Sequence, residues 1–242
     1  MKIPYKSENI TCQGYLALDQ SITTRRPAIL VAHAWRGQDD FARKKCDALR
    51  DLGYIGFALD YYGNGAGART SEEAASLMKP LFLDRKLLQK RLQAGFDAIK
   101  DHPMVDADRI AIIGFCFGGL AAIELYRSGA KLRGAVSFHA VLGNTLGDEK
   151  AQTTAISSDI TGSLLMLHGH DDPLVSQNDI IAIQKELTDA KVDWQMHVYG
   201  GTSHAFTVPE ANDPSMGLKY NAESDFRSWQ SMKNFFNELF SL

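Results

Sequence analysis

Short, almost wholly apolar runs alternate along this chain with longer stretches of helical periodicity, and few folds accept that pattern. "PAILVAHA" (27–34), "YIGFALD" (54–60), "RIAIIG" (109–114), "LRGAVSFHA" (132–140), "GSLLMLHG" (162–169) and "VDWQMHVYG" (192–200) read as strands. Residues 39–53, 71–101, 117–128, 176–190 and 222–240 carry helical spacing. In the first of these Phe41, Cys46, Leu49 and Leu52 mark the buried face and Gly53 the stop; residues 71–101 are expected in two pieces, broken at Pro80. Strands that are apolar at every position must be covered on both faces, and successive strand–helix units build a parallel sheet. The expected fold class is α/β, a doubly wound, mostly parallel sheet with helices on both faces. Cys12 falls in a further, N-terminal strand. The longest irregular stretches, 61–70, 140–161 and 207–221, are too short for a lid domain, so residues 1–242 read as a single domain.

Composition narrows the function. The chain is 45% hydrophobic and 23% charged with a net charge of −3, and it has no basic block, so neither nucleic acid nor a membrane surface is an expected partner. The opening "MKIPYKSENITCQG" lacks a signal-peptide core. No apolar run approaches the roughly 18 residues of a membrane span. Cys12, Cys46 and Cys116 are odd in number and widely spaced, which suits a reducing, cytoplasmic location rather than a disulfide framework. No CxxC or His/Cys cluster suggests a metal, and no cofactor is expected.

The chemistry concentrates in "IAIIGFCFGGLAAIELY" (110–126). A strand ends at Gly114, a helix begins after Cys116, and the frame Gly114-Phe115-Cys116-Phe117-Gly118 is a nucleophile elbow, G-x-S-x-G with sulfur for oxygen. The strained turn projects the side chain above the sheet, the flanking glycines leave room for it, and the unpaired N–H groups of the following helix favour an anion there. Cys12 and Cys46 read as packing residues, Cys46 on the apolar stripe of its helix.

A thiol nucleophile needs a base, and the base an orienting acid. "LLMLHGHDDPLVS" supplies Asp171 or Asp172 beyond one strand, and "VDWQMHVYGGTSHAFT" supplies His204 in a loop beyond the last. Cys116, Asp172 and His204 thus follow the order nucleophile, acid, histidine, each past a different strand. The Asp-Pro-Leu-Val context favours Asp172 over Asp171. His33, His139 and His168 close strands and could line the pocket, whereas His102, His170 and His197 read as peripheral.

With these residues in hand the chain resembles the dienelactone hydrolases, α/β-hydrolases with a Cys-Asp-His triad. Besides "GFCFGG", the resemblance is carried by "LGYIGFALDYYGNG", "VDADRIAIIGFCFGG", "VSFHA", "HGHDDPLV", "DWQMHVYGGTSHAFT" and "RSWQSMKNFFNELF" in order along the chain. It implies the α/β-hydrolase fold, places the triad on Cys116, Asp172 and His204, and implies an oxyanion hole made of the Trp35 and Phe117 N–H groups. The departures are informative. Ala34 stands where family members often carry a glutamate, and Asn64 and Val208 stand where two arginines hold the substrate's carboxylate. Arg36 and Arg69 are the nearest replacements in the sequence.

The expected function is hydrolysis of a small-molecule carboxylic ester or lactone through a cysteine acyl-enzyme. Thioester or peptide cleavage by the same groups is the alternative, and a non-catalytic ligand-binding protein a more distant one. Trp35, Tyr61, Tyr62, Phe115, His139 and Phe206 are the expected pocket walls. A monomer is expected, with a dimer as the alternative.

Overall fold

A computed structural model describes residues 1–240. The chain opens with a hairpin, β1 (Lys2–Ser7) and β2 (Ile10–Ala17), and continues through β3 (Arg26–Ala32), α1 (Asp40–Asp51), β4 (Ile55–Ala58), α2 (Ser71–Leu83) and α3 (Arg85–Lys100). It then forms β5 (Val105–Phe115), α4 (Phe117–Arg127), β6 (Gly134–Phe138), a two-residue-per-strand hairpin of β7 (Thr145–Leu146) and β8 (Glu149–Lys150), β9 (Ser163–Gly169), α5 (Gln177–Asp189) and β10 (Asp193–Tyr199). A small pair, β11 (Asn212–Asp213) and β12 (Leu218–Lys219), precedes α6 (Ala222–Phe240).

The eight-stranded sheet runs β1-β2-β4-β3-β5-β6-β9-β10. β4, β3, β5, β6, β9 and β10 pair in parallel, and the hairpin adds an antiparallel edge through β2 and β4. These parallel strands are the six legible as apolar runs. β10, an edge strand, is only partly covered, which is why its sequence mixes polar and apolar residues. One face packs Leu88, Leu92, Leu120, Ile123 and Leu187 of α3, α4 and α5; the other packs Cys46, Leu49, Met232 and Phe236 of α1 and α6. Strand order reverses between β3 and β5, with β4 on one side and β6 on the other, and ligands bind at such a switch point beyond the strands' carboxyl ends. Among the described residues no helix is long and apolar enough to cross a membrane.

Two local expectations change. The helical break falls at Asp84 and not at Pro80, which lies inside α2. Pro80 removes one N–H near the helix end, and burial of the next two residues, Leu81 and Phe82, keeps the turn in place. Asp84 ends α2 with extended backbone and starts α3, its carboxylate accepting from the Leu87 N–H at 2.9 Å. The stretches 140–161 and 207–221 also hold short pairs, β7–β8 and β11–β12, that no periodicity announced.

Candidate active site

Cys116 is the single residue between β5 and α4. Its backbone sits at φ 57°, ψ −119°, a conformation that a residue with a side chain adopts only when its surroundings impose it. Those surroundings are visible. Its N–H is shared between the Phe138 carbonyl and the His139 Nδ1, both at 3.1 Å, and its carbonyl accepts from the Gly119 N–H at 2.9 Å. A β-carbon on Gly114 would lie 1.8 Å from the Gly118 oxygen, and one on Gly118 would lie 2.1 Å from the Ala32 oxygen. The glycine frame is therefore a packing requirement where helix, elbow and β3 pass within contact of one another.

Asp172 and His204 come together beyond β9 and β10. His204 Nδ1 lies 2.7 Å from Asp172 Oδ2, and both residues are buried. The other Asp172 oxygen accepts from the Leu174 N–H at 2.9 Å, a local turn the Asp-Pro-Leu sequence allows. Asp171 is exposed. His204 Nε2 is buried without a regular hydrogen-bond partner, and the Cys116 sulfur is its electrostatic neighbour. Burial works against charging this ring, but its interactions with Cys116 and Asp172 outweigh it and push the imidazole up to about 10. The loop carrying His204 is not free to swing: its carbonyl accepts from the Lys219 N–H at 3.1 Å, tying it to β12.

Cys116 and His204 open into a cavity of about 420 Å³. Its walls are Trp35, Met78, Phe82, Phe117, Val141, Leu146, Leu174, Met216 and Leu218, with Gly143, Thr145 and Gly147 completing the lining, so only Cys116 and His204 in it can carry charge. Trp35 and Phe117 are thus brought beside the thiol. Phe117 is the first residue of α4, so its N–H has no acceptor within the helix.

The other expected walls lie behind this lining. Tyr61, Phe115, His139 and Phe206 are buried in the packing, and Tyr62 is half-buried. The Tyr61 hydroxyl donates to the His33 carbonyl, and the Tyr62 hydroxyl donates to the Trp35 carbonyl at 2.8 Å. The two tyrosines therefore staple the loop that carries Trp35. Phe115 and Phe138 stack at 4.6 Å, and Phe206 packs on His139 at 5.1 Å. A residue that ends a strand points into a covered face as readily as toward the rim, which the sequence pattern does not distinguish. His33 and His168 are likewise buried away from the cavity. Arg36 lies over the Trp35 ring at 5.6 Å and bonds the Arg69 carbonyl at 3.1 Å; neither arginine lines the cavity. Asn64 is exposed, and Val208 faces a different hollow beside α1. The walls from Met78, Phe82, Leu146, Met216 and Leu218 come from segments far apart in sequence and left no motif to find.

Comparisons with known proteins bear on the family and the fold. The family model for the dienelactone hydrolase family matches residues 12–240. A putative carboxymethylenebutenolidase of Aquifex aeolicus is 26% identical over 240 residues, covering 97% of this chain and 96% of its own length. Among solved structures, a dienelactone hydrolase-like promiscuous phosphotriesterase, P91, from metagenomic libraries is 34% identical with a TM-score of 0.91, covering 99% of this chain and 97% of its own. Another, m3DLH, is 37% identical with the same TM-score and covers 99% and 98%. An elbow, a parallel sheet and a family match over nearly the whole length converge: this chain belongs to the dienelactone hydrolase family and is a lactone or ester hydrolase of the α/β-hydrolase fold.

Proposed function

We propose that the hydrolysis runs through a thioester on Cys116 and that the substrates are neutral, apolar esters or lactones. The Cys116 thiolate attacks the carbonyl carbon, and the oxyanion that forms accepts hydrogen bonds from the Phe117 and Trp35 N–H groups, each such donor typically worth about 3–4 kcal/mol. Collapse breaks the carbon–oxygen ester bond, and the leaving alkoxide takes the proton from His204 Nε2. Water then attacks the thioester, gives its proton to His204 and releases the acid, which restores the thiolate. Asp172 holds the Nδ1–H of His204 throughout and stabilises the charged ring. The observation that carries this reading is the buried Asp172–His204 contact at 2.7 Å with the free ring nitrogen beside Cys116.

The substrate class follows from the lining. The one cation of the lining, the His204 ring, is already paired with Asp172, so a carboxylate entering the cavity loses its hydration and finds no free cation, and a charged acyl compound is disfavoured. The same neutrality suits a phosphotriester, whose P=O oxygen would occupy the same two N–H groups; the 34% identical neighbour is described as a promiscuous phosphotriesterase. All the groups come from one chain, so the proposed reaction needs no second copy, and its free thiol suits a reducing, cytoplasmic setting. Cys116→Ala tests the nucleophile: hydrolysis of p-nitrophenyl acetate should vanish while the fold persists, and retention of more than a few per cent of the rate would assign the chemistry elsewhere.

A further inference from the structure

His139 sits directly beneath the two residues that the proposed reaction uses, although it does not reach the cavity. It is wholly buried and has φ 37°, in the left-handed region that a histidine seldom occupies. Its Nδ1 accepts from the Cys116 N–H at 3.1 Å. Nδ1 therefore carries the lone pair, so Nε2 carries the proton and donates it to Thr207 Oγ1 at 2.8 Å. Its ring meets the His204 ring edge to face, with centroids 5.1 Å apart. One neutral imidazole thus touches the backbone of the nucleophile, the ring of the base, and, through Thr207, the segment three residues past that base.

From this triple contact we infer that His139 is a positioning residue for the Cys116–His204 pair, and that Thr207 sets its tautomer. The inference rests on the proposed roles of Cys116 and His204. The chemistry requires the neutral form. A proton on Nδ1 would point at the Cys116 N–H, break that bond and loosen a backbone already held at positive φ. A charged ring 5.1 Å from His204 would also oppose the imidazolium on which the thiolate depends. Burial keeps His139 neutral, and the groups that face it reinforce this: His204, Lys45 and His168 are all cationic when charged. Thr207 completes the arrangement, since with Nε2–H donated to its hydroxyl the lone pair has to sit on Nδ1.

The test compares Thr207→Val with Thr207→Ser, and His139→Leu with His139→Asn. Valine has threonine's shape and no hydroxyl; serine restores the hydroxyl. Asparagine offers its Oδ1 where the imidazole has Nδ1 and tolerates positive φ; leucine offers nothing. Rates on p-nitrophenyl butyrate are measured from pH 5 to 10, with thermal midpoints for each variant. Thr207→Val should lower kcat about 10- to 100-fold, the scale of a small misplacement of reacting groups. Its KM should change little, and its pH window should narrow from both sides, because a weaker thiolate–imidazolium pair forms later and dissociates earlier. Thr207→Ser should restore both rate and window, and His139→Asn should exceed His139→Leu in kcat. Wild-type kcat and pH window in Thr207→Val, or losses that track the thermal midpoint equally in the Val and Ser variants, would overturn the inference. Cys116→Ala, assayed alongside, keeps the two ideas separate: turnover in that variant refutes the nucleophile, whereas a dead Cys116→Ala with an unaffected Thr207→Val refutes only the role of His139.

Discussion

At the scale of single residues the sharpest contrast lies between two neighbouring aspartates. Asp172 is buried against His204, and Asp171 is exposed. Asp172→Asn would set an amide against Nδ1 and disturb the tautomer, so kcat/KM for p-nitrophenyl esters should fall on the order of 10³–10⁴-fold. Asp171→Asn should change it less than about threefold, since an exposed carboxylate near the site acts only through screened charge; the reverse ranking would move the acid by one residue. The cysteines offer a parallel test. Burial raises the Cys12 and Cys46 thiols, and both are inaccessible, whereas Cys116 faces the cavity. Iodoacetamide should therefore modify Cys116 first, as peptide mapping after partial reaction would report. Ala34→Glu, placing a carboxylate on the loop beside Trp35, should slow that modification by disfavouring an anion there. The placement of Cys116, Asp172 and His204 beyond the strand ends was legible because strand ends, glycines and chain order all constrain it. His139 was legible only as a histidine closing a strand; whether such a side chain faces the cavity or the packed interior is decided by neighbours from β5 and the segment after β10 that its own sequence does not contain.

At the scale of elements, the parallel strands and the helices were readable from periodicity because burial on two faces writes itself into every residue of a strand. The breaks were less readable. Pro80 looked like a helix boundary, yet the boundary was made by Asp84, whose side chain satisfies the first turn of α3. Asp84→Ala should cost about 1 kcal/mol, measured by urea unfolding, as loss of a helix cap does. Pro80→Ala should cost nothing or stabilise, since the helix already passes through that position and alanine restores the missing donor; a large destabilisation would mean the proline shapes α2 after all. The short pairs β7–β8 and β11–β12 bring Leu146 and Leu218 to the cavity rim. These elements make the cavity apolar and predict its preference: a neutral p-nitrophenyl butyrate should show a higher kcat/KM than the matched hemisuccinate ester, whose acyl chain ends in a carboxylate. Leu146→Arg should narrow or reverse that ranking by supplying a cation not already paired with Asp172. Preference for the charged ester in the wild type would contradict the reading of the walls.

At the scale of the whole molecule, the site's buried histidines link its chemistry to acid stability. His33 lies wholly inside, stacked on Tyr61 at 3.8 Å, and burial pushes its imidazole down to about 3. His139 is shifted in the same direction by burial and by His204. In the unfolded chain both titrate near an ordinary value of about 6.5. Between that value and the folded one, the unfolded chain binds protons that the folded chain refuses, so stability falls as the pH is lowered through the window. His204 has the opposite sign: raised to about 10, it stabilises fully below about 6.5 and loses that contribution as the pH rises through 10. Below 6.5 it therefore adds no further slope, and the loss on acidification belongs to the buried neutral rings. From pH 7 to pH 5, where ordinary carboxylates hardly titrate, His33 should withdraw about 2 kcal/mol of folding stability, and His139 acts in the same direction. His33→Phe keeps an aromatic ring against Tyr61 and removes the titrating group. It forfeits the 2.7 Å contact between His33 Nδ1 and the Ala34 carbonyl at both pH values. Its unfolding free energy in urea should consequently drop by about 2 kcal/mol less than the wild type's between pH 7 and pH 5. An identical drop in the two proteins would show that His33 accepts its proton without unfolding, and that the packing around Tyr61 is looser than its stacking implies.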